Sequence, residues 1–426
     1  MDFILKGDLC YSATRSELVT YKDHYVVQVD GVSQGIYSEV PEEYIHLPVY
    51  DYSGHLIVPG LIDLHVHAPQ YAIRGMGMDL ELLDWLNTYT FPEEAKYANK
   101  TYASMSYQYF VDELVKSATS RAVIFATIHT EPTLHLMDLL EKTGLITYVG
   151  KVNMDRNSPE NLIEVDAKTS IRDTSRWIRS TKQRYHKTQP IITPRFVPTC
   201  SDELLEGLGE LQRSYRLAVQ SHVSENQSEI KWVKELCPDT TCYADAYDRY
   251  GLLGGEHVPT IMAHCVWSSG IEEELLKDRG VYVAHCPQSN VNLSSGIAPI
   301  RRFINHGIHV GLGSDLAGGS RTSIFRAMAD AIQSSKMFWR MVDQEMKPLT
   351  VSEAFYLGTK GGGSFFGKVG SLEKGYAFDA VVVEDSIIKT AKTLTMMERI
   401  ERVIYLSDKR NIKAKYVDGV RVYDRD

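Results

Sequence analysis

The sequence predicts an α/β fold: a (β/α)8 TIM-like barrel with a small β-sandwich domain formed from both termini. Three observations point there. Eight short β-rich runs alternate with helix-like stretches through the middle of the chain. The two ends read as strands and turns without that rhythm. Five of the eight runs finish on His or Asp, where branched apolar residues suit barrel packing better. A chain of 426 residues can hold one large domain of this kind or two to three smaller ones.

Taken in order, residues 1–57 supply the N-terminal part of the small β domain, with strand-like pieces such as "HYVVQVDGVSQGIY". The barrel is expected over 58–368. Its runs are "GLIDLHVHA", "RAVIFATIHT", "LITYVGKVNM", "QPIITPRFVPT", "RLAVQSHVSEN", "PTIMAHCVW", "GVYVAHCPQSN" and "GIHVGLGSDLA". Between them lie helix patterns such as "SDELLEGLGELQRSYR", with Ser201 as N-cap and acids in the first turn, and "SENQSEIKWVKELC". "SGIEEELLKDRG" closes on Gly280, a residue suited to ending a helix. Residues 369–426 return to strand patterns, and Asp418-Gly419 marks a hairpin turn in "NIKAKYVDGVRVY". A doubly wound open sheet is the rival architecture; it seldom needs eight repeats, and no GxGxxG follows the first strand.

The bulk properties exclude several classes. A net charge of −9 supplies no basic surface for phosphates, so no nucleic-acid partner is expected. The opening "MDFILKGDLCYSATRSELV" turns polar too soon for a signal peptide, and no stretch is apolar for the length of a bilayer. A cytoplasmic protein with no membrane partner is expected. The six cysteines are scattered without a CxxC pair, which reads as reduced, mostly buried thiols. In "CPDTTC", Cys237 and Cys242 lack the second half of a zinc knuckle.

The chemistry collects at strand ends. His65 and His67 in "LHVHAPQY" are two apart, so a strand points both to one face. Pro69 ends the strand, leaving them at its C-terminal end, where barrels of this fold build active sites. Taken alone the pair has two readings, metal ligands or hydrogen-bonded core histidines. His222 ends the fifth run with Glu225 three residues on; His264 ends the sixth, His285 the seventh and Asp315 the eighth. Each is unremarkable alone, and together they favour one site at the barrel mouth.

These features resemble the amidohydrolase superfamily of metal-dependent barrels. The segments "PGLIDLHVHAPQY", "WLNTYTFPEEAKY", "PRFVPTCSDELLEGLGEL", "QSHVSENQSEI", "MAHCVW", "AHCPQSNVNLSSG" and "GLGSDLAGG" are similar, in this order, to its guanine deaminase branch. The similarity extends over nearly the whole chain. Two departures stand at Pro69, where the branch often has Ser, and at Ser314, where it often has Thr.

The resemblance implies one Zn²⁺ per subunit held by His65, His67, His222 and Asp315, with Fe²⁺ able to satisfy the same donors. The fourth run contains no lysine to bridge a second ion. Bound so, a divalent ion lowers the pKa of a water from about 15.7 towards about 7. Asp315 is then the base, Glu225 the proton shuttle and His264 the group that holds the attacking oxygen. Gln70, Arg195 and Phe196 are implied substrate contacts: a ring-edge reader, a fork of donors for a carbonyl and a stacking face. Without the resemblance, Glu225 also reads as a first-turn helix acid and Arg195 as a structural ion-pair partner.

His285 is expected to support the site rather than ligate. The implied reaction is hydrolytic deamination of guanine to xanthine and ammonia, and the implied assembly is a homodimer. The alternative is a related aminohydrolase acting on another amino-substituted purine, a pterin or a triazine. A non-catalytic scaffold is disfavoured because every implied ligand is present, and a cytidine-type zinc deaminase because no PCxxC exists. The excursion "RGMGMDLELLDWLNTYTFPEE" after the first barrel strand is expected to help close the pocket.

Overall fold

The structure is a computed structural model and describes residues 2–254 and 258–425. The N-terminal segment forms β1 (Phe3–Ser12), β2 (Leu18–Val29), β3 (Val32–Tyr37) and β4 (Val49–Pro59). Next come β5 (Leu61–His67), β6 (Thr119–Phe125), β7 (Ile146–Gly150), β8 (Val152–Asn153) and β9 (Thr188–Pro190). They are followed by β10 (Thr193–Pro194), β11 (Val219–Val223), β12 (Thr260–His264), β13 (Tyr282–His285) and β14 (His309–Leu312). The C-terminal segment adds β15 (Ala380–Val383), β16 (Ile412–Val417) and β17 (Val420–Asp424).

All eight expected barrel runs contain strands, and they pair parallel in chain order. One four-stranded sheet runs β5-β6-β7-β9 and another β11-β12-β13-β14. The third and fourth runs each break in two, with β8 pairing β10 in parallel. Proline explains the fourth: Pro190 and Pro194 bring no N–H to a ladder. At the break in the third, Gly150 packs so closely that a Cβ would lie 1.8 Å from Thr193 Oγ1. The two sheets are stitched where Gln220 N donates to Ile192 O at 2.9 Å, and the ring closes where Asp315 N donates to His65 O at 2.9 Å.

Strands from both ends form one seven-stranded sheet in the order β17-β16-β15-β4-β1-β2-β3. β15 shows why its sequence is an unbroken apolar run. Ala380 and Val382 pack with Phe3, Leu5, Ile57, Phe378 and Tyr416, while Val381 and Val383 face the barrel-side core with Leu56 and Val58. Asp418 and Gly419 turn between β16 and β17 at φ 46° and 70°, as the Asp-Gly pair requires.

Sheet and barrel are joined by Gly60, the single residue between β4 and β5. Nearby, Arg121 on β6 grips Asp379 through Nε at 2.7 Å and Nη2 at 3.1 Å. Lys415 on β16 is buried, and its Nζ donates to the carbonyls of Leu114, Ser117 and Thr119 at 3.2, 3.0 and 2.8 Å. These groups are taken from water with their hydrogen-bond partners in place, so burial does not leave them unsatisfied, although it pushes the Lys415 amine down to about 7.

Candidate metal centre and active site

Four ligand atoms from three parts of the barrel mouth meet. His65 and His67 bring their Nε2 atoms within 3.1 Å of each other. His222, on β11, sets its Nε2 3.3 Å from that of His67. Asp315, just past β14, places Oδ1 3.2 Å from His65 Nε2 and 3.5 Å from His67 Nε2. A tetrahedral ion with bonds of ~2.0–2.1 Å separates its ligands by roughly 3.3–3.4 Å. The observed spacings bracket that value, so the residues fit a divalent cation.

The protonation pattern fits as well. His222 Nδ1 lies 2.6 Å from the carbonyl of Arg195, so it carries the proton and leaves an Nε2 lone pair facing the cluster. Burial, then the neighbouring imidazoles, hold His67 and His222 well below the ordinary histidine value. Burial resists ionisation of Asp315, but His65, His264 and His67 around it hold the carboxyl well below its usual range. Neutral imidazoles and an ionised carboxylate are what a divalent ion binds.

Glu225 faces this cluster from the turn after β11. It precedes Asn226, the N-cap of the helix Gln227–Leu236, so it is not a first-turn helix acid. The side chain of Glu229 fastens the turn, with Oε2 accepting from Glu225 N at 3.1 Å and Asn226 N at 3.3 Å. Glu225 Oε1 accepts from Ser295 Oγ at 3.1 Å, and Oε2 lies 3.4 Å from His264 Nε2. Burial and then the charge of Asp315 push the Glu225 carboxyl up to about 8, against the Ser295 hydrogen bond. His264 Nδ1 is 2.8 Å from Asn290 Oδ1, which leaves Nε2 free to accept, 3.7 Å from Asp315 Oδ2. Ser224, His264, Cys265 and Asp315 all adopt left-handed backbone conformations, φ 44° to 74°, so this mouth stores conformational strain.

A tight cavity of about 40 Å³ opens over these groups. Gln70, Arg195 and Phe196 line it, joined by Leu82, Trp85 and Leu86 from the excursion after β5. Gln70 is already engaged: its Nε2 donates to Glu94 Oε1 at 2.9 Å, and its Oε1 accepts from Ala317 N at 3.0 Å. Arg195 ion-pairs with Glu94, and its guanidinium lies 5.0 Å from the Phe91 ring centre. Phe196 meets Trp232 edge-on at 6.3 Å.

His285 is buried outside the four-atom group, and burial, then His264, pushes its imidazole down to about 3. Cys286 lies within reach of His65, His264 and Asp315. Burial, then Asp315, holds that thiol well above its ordinary value, so it stays protonated.

Asp63, Glu229 and Glu94 are buried acids beside the site that the strand-end pattern does not name. Asp63 accepts from Ser314 N at 3.0 Å, Ser314 Oγ at 2.5 Å and His65 N at 3.2 Å. It shares the two-residue period of His65 and His67, a signal present in the sequence. Glu229 completes an N-x-x-E capping box, also a readable signature. Glu94 has no such signal.

An amidohydrolase family model matches residues 56–422. Guanine deaminase from Dictyostelium discoideum is 38% identical over 382 residues, covering 88% of this chain and 84% of that protein. Guanine deaminase from Homo sapiens is 34% identical, covering 98% of this chain and 96% of that protein. A crystal structure of guanine deaminase from C. acetobutylicum with guanine bound in its active site superposes with a TM-score of 0.96. It is 47% identical, over 99% of this chain and 100% of that one. A barrel whose mouth gathers this histidine and carboxylate set, matched over nearly its whole length by such relatives, belongs to the amidohydrolase family and groups within it with the guanine deaminases.

Proposed function

We propose that the chain is a hydrolase that converts guanine and water to xanthine and ammonia, acting on the C–N bond of a cyclic amidine. One observation carries the reading: Glu225, His264 and Asp315 face one pocket beside three convergent imidazoles, in a chain aligned over most of its length with guanine deaminases. The metal is proposed to be zinc, one per chain, held by His65, His67, His222 and Asp315, three nitrogens and one oxygen, on the spacings around His65 and His67. When bound, it supplies the Lewis acidity that brings a water's pKa towards neutrality.

The chain's own groups do the rest. Asp315, held ionised, accepts a proton from the attacking water, and the His264 Nε2 lone pair fixes that water's direction. Glu225, protonated at neutral pH, donates to the ring nitrogen beside C2 as that carbon becomes tetrahedral. Left ionised, Glu225 takes the proton of the new C2 hydroxyl as the carbonyl forms and passes it to the departing amine, which leaves as ammonia; the proton held by Asp315 then restores Glu225. Arg195 offers donors to the C6 carbonyl, Gln70 reads a ring edge, and Phe196 covers a purine face. The resident ring displaces water from a site walled by Leu82, Trp85 and Leu86.

A homodimer is part of the same proposal. The helix Ile324–Met341 leaves Met337 and Met341, one turn apart, 52% and 73% exposed, an apolar face suited to a second copy. Sedimentation velocity checks it. The substrate is tested by ammonia release from guanine, guanosine, adenine, cytosine and melamine. Guanine alone should turn over appreciably; turnover of another compound without guanine would remove the proposal.

A further inference from the structure

Glu94 is 1% exposed, and no step of the proposed reaction uses it. It ends the excursion after β5, in the short helix Phe91–Ala95, and its two oxygens serve two different substrate-facing residues. Oε1 accepts from Gln70, and Oε2 accepts from Arg195. From Gln70 the chain of hydrogen bonds continues to Ala317, two residues past Asp315. From Arg195 it continues through the main-chain carbonyl to His222. One buried carboxylate therefore connects the loop of Asp315, the turn after His67 and the strand of His222.

Two chemical consequences follow. A carboxylate only accepts, and the Ala317 N–H only donates, so the amide of Gln70 has one permitted orientation. Its nitrogen faces Glu94 and its oxygen Ala317, which leaves one N–H and one oxygen lone pair for a ligand. Among the described residues, the Arg195 side chain makes its one hydrogen bond to Glu94. The rest of the guanidinium fork stays available at the pocket wall, with its charge balanced by its neighbour.

We propose that Glu94 is the positioning residue of base recognition: it orients the Gln70 amide and holds Arg195 by one arm, so that the pocket selects a purine with a carbonyl at C6. This rests on reading the pocket as a guanine site. Glu94→Gln tests it, because a glutamine offers one oxygen to two donors. Its NH₂ must then confront Gln70 or Arg195, and turning Gln70 to relieve the clash sets the Gln70 NH₂ against the Ala317 N–H.

The experiment compares the zinc-loaded wild type, Glu94→Gln and Glu94→Asp. It measures KM and kcat for guanine, Kd for xanthine by calorimetry, discrimination against 2-aminopurine, zinc content and melting curve. 2-Aminopurine keeps the 2-amino group and lacks the C6 carbonyl. Glu94→Gln should keep its zinc, raise KM and the xanthine Kd by roughly 10-fold or more, lower kcat less, and narrow the discrimination. Glu94→Asp, which keeps the charge with a shorter reach, should fall between. Wild-type KM, Kd and discrimination in Glu94→Gln would overturn the inference, as would a loss of kcat shared equally by both purines. Should Glu94→Gln fail to fold, a Glu94→Asp protein with wild-type KM and Kd overturns it. A wild type inert towards guanine instead overturns the substrate reading, and this inference with it.

Discussion

Glu225 on one side and His67 and His222 on the other hold opposite proton preferences in the metal-free protein. Its carboxyl is pushed up to about 8 from an ordinary 4.5, so over that window the folded chain keeps a proton that the unfolded chain releases. Its contribution to stability therefore falls as pH rises towards 8. His67 and His222, held well below 6.5, act the other way: the unfolded chain takes up protons below 6.5 that the folded chain refuses. Melting temperatures of chelator-treated protein at pH 6.5 and pH 8 should fall more steeply in the wild type than in Glu225→Gln. The difference between the two proteins isolates Glu225 from every other titrating group. Parallel slopes would show that Glu225 is not held protonated by burial. At this scale the sequence was informative where function follows strand geometry. His65, His67, His222 and His264 stand at strand ends with Asp315 just past one, and a two-residue period says that His65 and His67 share a face. Glu94 was not legible, because an irregular excursion carries no period to say that it turns back to meet Arg195 from β10.

Among the elements, the fold depends on close approaches that hydropathy does not encode. Gly60 is the sole residue between β4 of the terminal sheet and β5 of the barrel, and a Cβ there would lie 2.3 Å from Ser120 Oγ and 2.5 Å from Ser120 Cβ. Gly60→Ala should overpack this junction and destabilise the protein by about 1–3 kcal/mol, measured by urea unfolding. A midpoint equal to the wild type would mean that the neighbours yield freely. The same limit explains the strands. Apolar runs located all eight barrel positions, but they did not reveal that the third and fourth break, which prolines and a tight glycine contact decide. Helix starts were clearer, because a cap is local chemistry: Ser201 accepts from Leu204 N at 3.2 Å, as its position before two acids suggests.

Across the whole molecule, the sheet built from both termini was legible as two strand-rich ends, but the bonds that fasten it to the barrel were not. Arg121 and Asp379 lie 258 residues apart, and nothing local in either stretch names the other. Arg121→Met leaves the Asp379 carboxylate buried without its main partner, which should cost about 3–5 kcal/mol in a thermal or urea melt. Activity per folded molecule should hold, because neither residue lines the pocket. A large fall in kcat at full folding would show that the sheet bears directly on the barrel mouth.

The central claim is that this mouth deaminates guanine through Glu225. It is tested most directly by following xanthine and ammonia from guanine with zinc-replete wild type and Glu225→Gln side by side. The wild type should release the two products in equal amounts, while Glu225→Gln keeps its zinc and slows by roughly 100-fold or more. A zinc-loaded wild type that forms no xanthine, or a Glu225→Gln enzyme at near-normal rate, would contradict the account.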